Sequence, residues 1–175
     1  AHARGLPLIV DNTVPTPILA RVFEQGADIA VHSTTKYIGG HGTSIGGVIV
    51  DGGNFDWQQH ADRFPMLNQP DPSYHGAVWT EAAKPLGPIA YVLKARVTLL
   101  RDLGAAMGPF NAFQFIQGLE TLPLRMREHC RNAEAVARYL STHKEVSKVI
   151  YAGSHTNPVQ KRRAETYMKG GFGGL

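Results

Sequence analysis

Two short apolar segments rich in branched residues flank a predicted helix near the start of the chain. LPLIVD at 6–11 and DIAVHS at 28–33 are typical of buried parallel strands, which lack polar alternation because both faces are covered. Between them, Pro17 suits the first turn of a helix and Gly26 suits its end. Strand, helix and strand in this order predict a βαβ unit with a right-handed crossover, and hence an α/β fold.

Two more strands and one long connection follow. GGVIVDGG at 46–53 predicts a third strand bracketed by glycines, and VSKVIY at 146–151 predicts a fourth. Residues 53–88 are rich in proline, glycine and aromatic residues, which predicts a long structured loop with short helical turns. Connections of that length inside a compact domain are usually functional.

Helical patterns occupy most of the remaining sequence. We predict helices at 89–103, at 111–122 and, as the longest of the three, after Pro123. Apolar residues recur at steps of four and three along the last helix, which predicts a buried stripe. The stripe comprises Met126, Cys130, Ala133, Ala137 and Leu140.

The composition favours a globular protein that binds neither nucleic acid nor membranes. Hydrophobic residues make up 43% and charged residues 18% of the chain, and no apolar run approaches the roughly 20 residues of a membrane span. The net charge is +4, but the basic residues are scattered, and KRR at 161–163 is too short for a nucleic-acid site. The single cysteine, Cys130, cannot form an internal disulfide, which favours a reducing compartment such as the cytoplasm.

Both ends of the sequence look like interior positions of a longer chain. AHARG at 1–5 is typical of the last turn of a helix, and MKGGFGGL at 168–175 stops on glycines that normally lead into another element. The first ten residues also lack the charged start and the long apolar segment of a signal peptide. We therefore expect a piece of a longer protein, incomplete at both ends.

Four polar residues cluster at the predicted strand ends. Asp11 ends the first strand, and Ser33, Thr35 and Lys36 follow the second in the sequence SxTK. Ligands of doubly wound α/β proteins bind at this edge of the sheet. A lysine can form a Schiff base with an aldehyde cofactor, a carboxylate can keep a pyridine nitrogen protonated, and two hydroxyls can bind a phosphate. The cluster therefore suits pyridoxal 5'-phosphate (PLP).

Each of these residues also has an ordinary structural explanation. A single aspartate at a strand end usually caps a helix or bonds its own loop, a lysine there is usually solvated, and turn hydroxyls usually bond the backbone. The run GGHGTSIGG at 39–47 matches neither a dinucleotide-binding nor a P-loop pattern. Histidines at 32, 41, 75 and 129 lack the spacing of metal ligands, so we expect no metal site.

The order and spacing of several motifs resemble the Cys/Met-metabolism family of PLP-dependent enzymes. The matching motifs are LPLIVDNTVPTP and GADIAVHSTTKYIGGHGTSIGGVIVDGG. The long segment at 53–88 and the runs FDWQQHADRFP, PDPSYHG, KARVTLLRDLGAAMGPFNAF and QGLETLPLRMREHCRNA resemble the branch of O-acetylhomoserine sulfhydrylases. The resemblance implies the aspartate-aminotransferase-like fold (fold type I), in which helices flank a mixed, mainly parallel sheet. It also implies that residues 1–130 form the C-terminal part of a large PLP-binding domain. Residues 131–175 would form the start of a smaller C-terminal domain.

By position, the resemblance makes Lys36 the Schiff-base lysine and Asp11 the partner of the pyridine nitrogen. Ser33 and Thr35 then bind the cofactor phosphate, and Thr13 helps to position the ring. The implied reaction is γ-replacement on O-acetyl-L-homoserine by sulfide or methanethiol, in a homotetramer built as a dimer of dimers. Two alternatives stay open: cystathionine γ-synthase or methionine γ-lyase chemistry, and a truncated chain that is inactive on its own.

Overall fold

A three-stranded sheet lies at the centre of the computed structural model, which describes all residues from 1 to 175. The strands are β1 (Ile9–Asp11), β2 (Ile29–Ser33) and β3 (Gly47–Asp51), in that spatial order. β1 and β2 are parallel, which confirms the predicted strand pair. β3 is antiparallel to β2, with Ser33 opposite Gly47. The connection between them contains no crossover helix, so the chain returns from the end at which β2 stops.

Helices and helical turns account for most of the other regular structure. The α-helices are α1 (Thr16–Leu19), α2 (Pro65–Asn68), α3 (Trp79–Ala83), α4 (Ala90–Lys94), α5 (Arg101–Leu103), α6 (Pro109–Leu140) and α7 (Pro158–Tyr167). Short 3-10 turns lie at His2–Arg4, Val22–Gln25, Pro72–Tyr74, Lys84–Leu86 and Ala152–Ser154. π-type hydrogen bonding over Ala95–Leu100 joins α4 to α5, so the helix predicted at 89–103 is confirmed, and Gly104 ends it at φ 71°.

The helix predicted from Pro17 to Gly26 is wrong as one continuous helix. α1 ends at Ala20, whose backbone is extended at φ −129° and ψ 113°, and a 3-10 turn follows. The Ala20 carbonyl accepts a 2.9 Å hydrogen bond from the side-chain amide of Asn12. This long-range bond takes up a carbonyl that a continuing helix would have used, so tertiary structure overrides the local pattern.

The prediction of two helices separated at Pro123 is also wrong. α6 passes through Pro123 without interruption. The proline removes the backbone N–H that would otherwise bond the carbonyl of Leu119. Leu122 and Met126, on either side of it, are almost fully buried, and their packing offsets the lost hydrogen bond. The predicted stripe in the same helix is largely confirmed: Met126, Cys130 and Ala137 are buried, and Ala133 and Leu140 are half-buried.

The long connection at 53–88 is structured by short helices around an aromatic core, as predicted. Phe55, Trp57 and Trp79 are buried in it beside Ile29 of β2. The carboxylate of Asp71 accepts hydrogen bonds from the Trp79 indole at 2.7 Å, from Ser73 and from Lys94. A buried carboxylate with this many donors fixes the loop against the helices that follow.

No strand forms at 146–151, where we predicted one. The segment has no neighbouring strand to accept and donate backbone hydrogen bonds, and an extended segment needs such a partner to become part of a sheet. Ile150 is 77% exposed, whereas Tyr151 is buried. Of these two neighbouring side chains, only that of Tyr151 is buried, so the apolar sequence here does not produce a strand. No helix in the chain combines the length and the apolar character needed to cross a bilayer.

Candidate active site

Asp11 ends β1 beside Val31 of the neighbouring strand. Its carboxylate is exposed and accepts a 3.0 Å hydrogen bond from the Thr13 N–H. The hydroxyl of Thr13 and then its N–H lower the pKa of Asp11 below the ordinary value. The two Thr13 contacts thus stabilise the charged form of the carboxylate.

Thr13 also connects the ends of the two parallel strands. Its hydroxyl oxygen accepts a 2.7 Å hydrogen bond from the N–H of Ser33, the last residue of β2. Neighbouring strands of a sheet lie about 4.8 Å apart. The structure thus brings Asp11 and Ser33 to the same end of adjacent strands, on the edge that the sequence predicted. Lys36 follows three residues after Ser33.

Lys36 lies in a tight turn over Thr34–Ile38 that leaves β2 directly. Its backbone is non-helical, at φ −89° and ψ −124°, between residues with π-type hydrogen bonds. The Lys36 carbonyl accepts a 2.8 Å hydrogen bond from the N–H of Gly40. The side chain is exposed and belongs to none of the ion pairs of the chain. Its amine is accessible to an aldehyde.

The Thr35 hydroxyl is engaged with the backbone of the glycine-rich loop. It donates to the Gly46 carbonyl at 3.2 Å and accepts from the Gly46 N–H at 3.0 Å. This pair of bonds closes the loop from the lysine turn to β3. Phosphate binding by Thr35 stays a prediction, because in this structure its hydroxyl proton points to Gly46.

His32 contacts the backbone of the loop after β1, a contact that the sequence analysis did not predict. Its buried ring contacts the Asn12 carbonyl through Nδ1 at 3.1 Å, and burial lowers its pKa, so the ring is neutral at physiological pH. Strand alternation, which places residue 32 on the face opposite Val31, was the available signal. His41 is exposed, and no group of three or more His, Cys, Asp or Glu residues in the chain is arranged to hold a metal ion.

Arg125 of α6 is a second residue that the sequence did not reveal. Its guanidinium donates to the carbonyls of Tyr37 at 2.7 Å and Ile38 at 3.2 Å, directly after Lys36. The two segments are 88 residues apart in sequence at the first of these bonds, so no local pattern connects them. His129, four residues further along α6, lies with its ring 5.1 Å from that of Tyr37.

The side chains at this edge have the chemistry that PLP requires. Asp11 supplies a carboxylate with a lowered pKa and Lys36 an accessible amine, while Ser33 at the end of β2 and Thr35 in the following turn supply two hydroxyls. An aldehyde, a pyridine nitrogen and a phosphate would each find a matching group here. The residues therefore fit the cofactor by the nature of their functional groups.

Comparison with known proteins agrees with this chemistry. The chain is 49% identical to a homocysteine synthase from Schizosaccharomyces pombe and 48% identical to an O-acetyl-L-homoserine sulfhydrylase from Leptospira meyeri. These alignments cover 100% and 98% of this chain, but only 40% and 39% of the relatives. The chain thus spans about two fifths of the length of the curated relatives that it matches.

A solved structure from Campylobacter jejuni, described as an O-acetylhomoserine (thiol)-lyase, has the same fold, which is fold type I. The TM-score is 0.89 at 37% identity, over 99% of this chain and 42% of that one, and that protein carries an N'-pyridoxyl-lysine-5'-monophosphate. A family model described as Cys/Met metabolism PLP-dependent enzyme matches residues 1–175. The chain therefore belongs to the Cys/Met-metabolism family of PLP-dependent enzymes.

Proposed function

We propose that this chain carries the cofactor-binding lysine of a PLP-dependent sulfhydrylase. The enzyme converts O-acetyl-L-homoserine and sulfide, or methanethiol, into homocysteine, or methionine, and acetate. The observation that carries the proposal is the position of Asp11 and Lys36 at the ends of two adjacent parallel strands. Identities of 48–49% to a homocysteine synthase and a sulfhydrylase over nearly the whole chain support the choice of reaction.

Each residue of the edge has a defined task in this reaction. PLP, when bound, accepts the negative charge that develops at the substrate Cα. Lys36 holds the cofactor at rest and, once released, removes the Cα proton as a general base. Asp11, whose pKa Thr13 lowers, keeps the ring nitrogen protonated. Ser33 and Thr35 would hold the phosphate, and Thr35 would redirect its hydroxyl from the Gly46 carbonyl to do so. At Cγ the bond to the acetate oxygen breaks, and a bond to the sulfur of the acceptor forms.

The wider assembly is part of the same proposal. Residues 1–130 belong to the large PLP-binding domain, and residues 131–175 begin the smaller C-terminal domain, with α6 passing from one to the other. The full-length enzyme is a cytoplasmic homotetramer, a dimer of dimers, whose partners are small molecules. The single cysteine, Cys130, is buried and has no cysteine in this chain to pair with, which is compatible with a reducing compartment.

Borohydride reduction of the full-length protein tests the lysine assignment. Reduction converts the cofactor–lysine link into a stable amine, and peptide mass spectrometry then identifies the modified residue. We expect the label at Lys36 and its loss in Lys36→Ala, while the control Lys84→Ala, which changes a surface ion pair with Glu81, keeps it. A label on another lysine, or one that persists in Lys36→Ala, would show that the assignment is wrong.

Product analysis separates γ-replacement from γ-elimination. With O-acetyl-L-homoserine alone we expect no turnover to 2-oxobutanoate, and with added sulfide we expect homocysteine and acetate in equal amounts. Formation of 2-oxobutanoate and ammonia without any acceptor would instead identify a lyase. Formation of cystathionine with cysteine as the preferred acceptor would identify a cystathionine synthase.

A further inference from the structure

Arg125 makes an unusual set of contacts for an arginine in the middle of a helix. Besides the Tyr37 and Ile38 carbonyls, its guanidinium donates to the Gly118 carbonyl at 2.7 Å and to the Thr121 hydroxyl at 3.1 Å. No carboxylate is among these partners. The side chain is half-buried, and burial lowers its pKa. A half-buried guanidinium without a carboxylate partner depends on these neutral oxygens for its hydrogen bonds, and its donors in turn fix the carbonyls that they contact.

The contacted carbonyls determine the backbone path of the lysine turn. Those of Tyr37 and Ile38 are bonded by Arg125, and that of Lys36 is bonded by the Gly40 N–H. Three successive carbonyls from Lys36 onward are therefore fixed. Since side-chain direction follows backbone dihedrals, these bonds set the direction in which the Lys36 side chain leaves the turn.

Two glycines make this close contact between helix and turn feasible. A Cβ on Gly118 would overlap the Ile38 carbonyl oxygen and lie 2.6 Å from that of Gly39. A Cβ on Gly40, which has φ +78°, would lie 2.5 Å from a guanidinium nitrogen of Arg125. The absence of both side chains lets α6 approach the turn at backbone distance, so the guanidinium reaches carbonyls that a longer separation would leave to water.

We propose that Arg125 is a positioning residue for Lys36: by bonding the carbonyls of Tyr37 and Ile38, it holds the lysine nitrogen where the cofactor and the substrate Cα proton require it. This inference rests on the proposed function and deepens it. A purely structural bond between helix and turn would contribute stability alone. A positioning role predicts in addition that the chemistry of the Lys36 nitrogen changes when Arg125 is replaced.

The test uses the full-length holoenzyme and three variants. Arg125→Met removes all the donors, and Arg125→Lys keeps the charge but cannot bond several carbonyls with a planar fork. The matched control is Arg131→Met, on the same helix, where the arginine is 76% exposed and pairs with Glu128. The first measurement is the pH at which the visible absorption of the substrate-free enzyme changes, because that transition reports protonation at the lysine nitrogen.

We expect the pH of this transition to shift in Arg125→Met, to shift less in Arg125→Lys and to stay at the wild-type value in Arg131→Met. We also expect kcat to fall by about 100-fold in Arg125→Met with a smaller change in KM, the size that a misplacement of about 1 Å produces. Hydrogen exchange of the amides at 34–40 should become faster in the same variant.

A wild-type absorption transition and kcat in Arg125→Met, with only a lower Tm, would overturn the inference and leave Arg125 as a structural residue. If Arg125→Met does not fold, Arg125→Lys decides by the same titration. A wild-type enzyme that links PLP to Lys36 but makes no homocysteine would overturn the proposed reaction alone, and the titration would still decide the role of Arg125. A wild-type enzyme without a link at Lys36 would overturn both.

Discussion

The hydroxyl oxygen of Thr13 accepts the N–H of Ser33 at 2.7 Å, so the loop after β1 is bonded to the last residue of β2. The same threonine lowers the pKa of Asp11 through its hydroxyl and its N–H. One side chain therefore bonds the two strand ends of the candidate site to each other and lowers the pKa of its carboxylate.

Thr13→Val tests this double role in the full-length protein. The variant keeps the shape of the side chain but leaves the Ser33 N–H without its acceptor, and we expect a loss of about 1–2 kcal/mol in the free energy of unfolding at pH 7. The stability that ionised Asp11 contributes is present above the ordinary carboxyl pKa and is lost as the pH falls. Urea unfolding at pH 7 and at about pH 3, below the ordinary carboxyl pKa, should therefore show a smaller acid loss in Thr13→Val than in wild type. Thr13→Ser, which retains the hydroxyl, should behave like wild type, and an equal loss in both variants would contradict the interpretation.

Asp71→Asn should change the acid stability of the connection at 53–88. Lys94, then Ser73 and Trp79, hold the pKa of Asp71 far below its ordinary value. A lowered carboxyl pKa stabilises the fold above the ordinary pKa, and this contribution is lost progressively as the pH falls below about 5. We expect wild type to lose more Tm than Asp71→Asn between about pH 5 and pH 3, as followed by tryptophan fluorescence.

Glu81→Gln is the control for that measurement. Glu81 pairs with Lys84 on the surface, where both side chains are more than half exposed, and such pairs contribute little to stability. An acid response in Glu81→Gln as different from wild type as that of Asp71→Asn would mean that general surface charge, rather than the buried network, sets the acid stability.

Gly118→Ala should disturb the contact between α6 and the lysine turn. The added Cβ would meet two backbone oxygens, which cannot move aside as a flexible side chain can, and we expect a destabilisation of about 1–3 kcal/mol with faster exchange of the amides at 34–40. Gly108→Ala is the matched control, since its Cβ would meet nothing within 4 Å and its φ is −62°. If the unfolding curves of the two variants coincided, the close contact between Gly118 and the lysine turn would be contradicted.

The sequence was sufficient for the features that depend on short-range patterns. The two parallel strands and the positions of Asp11 and Lys36 at one sheet edge follow from hydrophobic patterning, and Gly26 ends a 3-10 turn where glycine chemistry predicted a stop. The family and its cofactor followed from the resemblance of the motifs around Lys36 to those of the Cys/Met-metabolism enzymes. Spacing alone had left ordinary structural explanations open for each of these residues.

The predictions were wrong or incomplete where contacts between residues that are not sequence neighbours determine the local structure. Asn12 ends α1 by bonding a carbonyl eight residues away, and Pro123 is tolerated because buried neighbours hold α6 together. Arg125 reaches the lysine turn across most of the chain. Side-chain bonds of this kind leave no periodicity in the sequence, so propensity and pattern could not reveal them.

The length of α6 has a mechanical consequence for the lysine turn. Gly118 is the point of closest approach, Arg125 follows two turns later, and the helix continues to Leu140. At 1.5 Å per residue, a tilt of about 5° about Gly118 would move Leu140 by about 3 Å but Arg125 by less than about 1 Å. The part of α6 that contacts the lysine turn therefore moves about three times less than the far end of the helix when the helix tilts about Gly118.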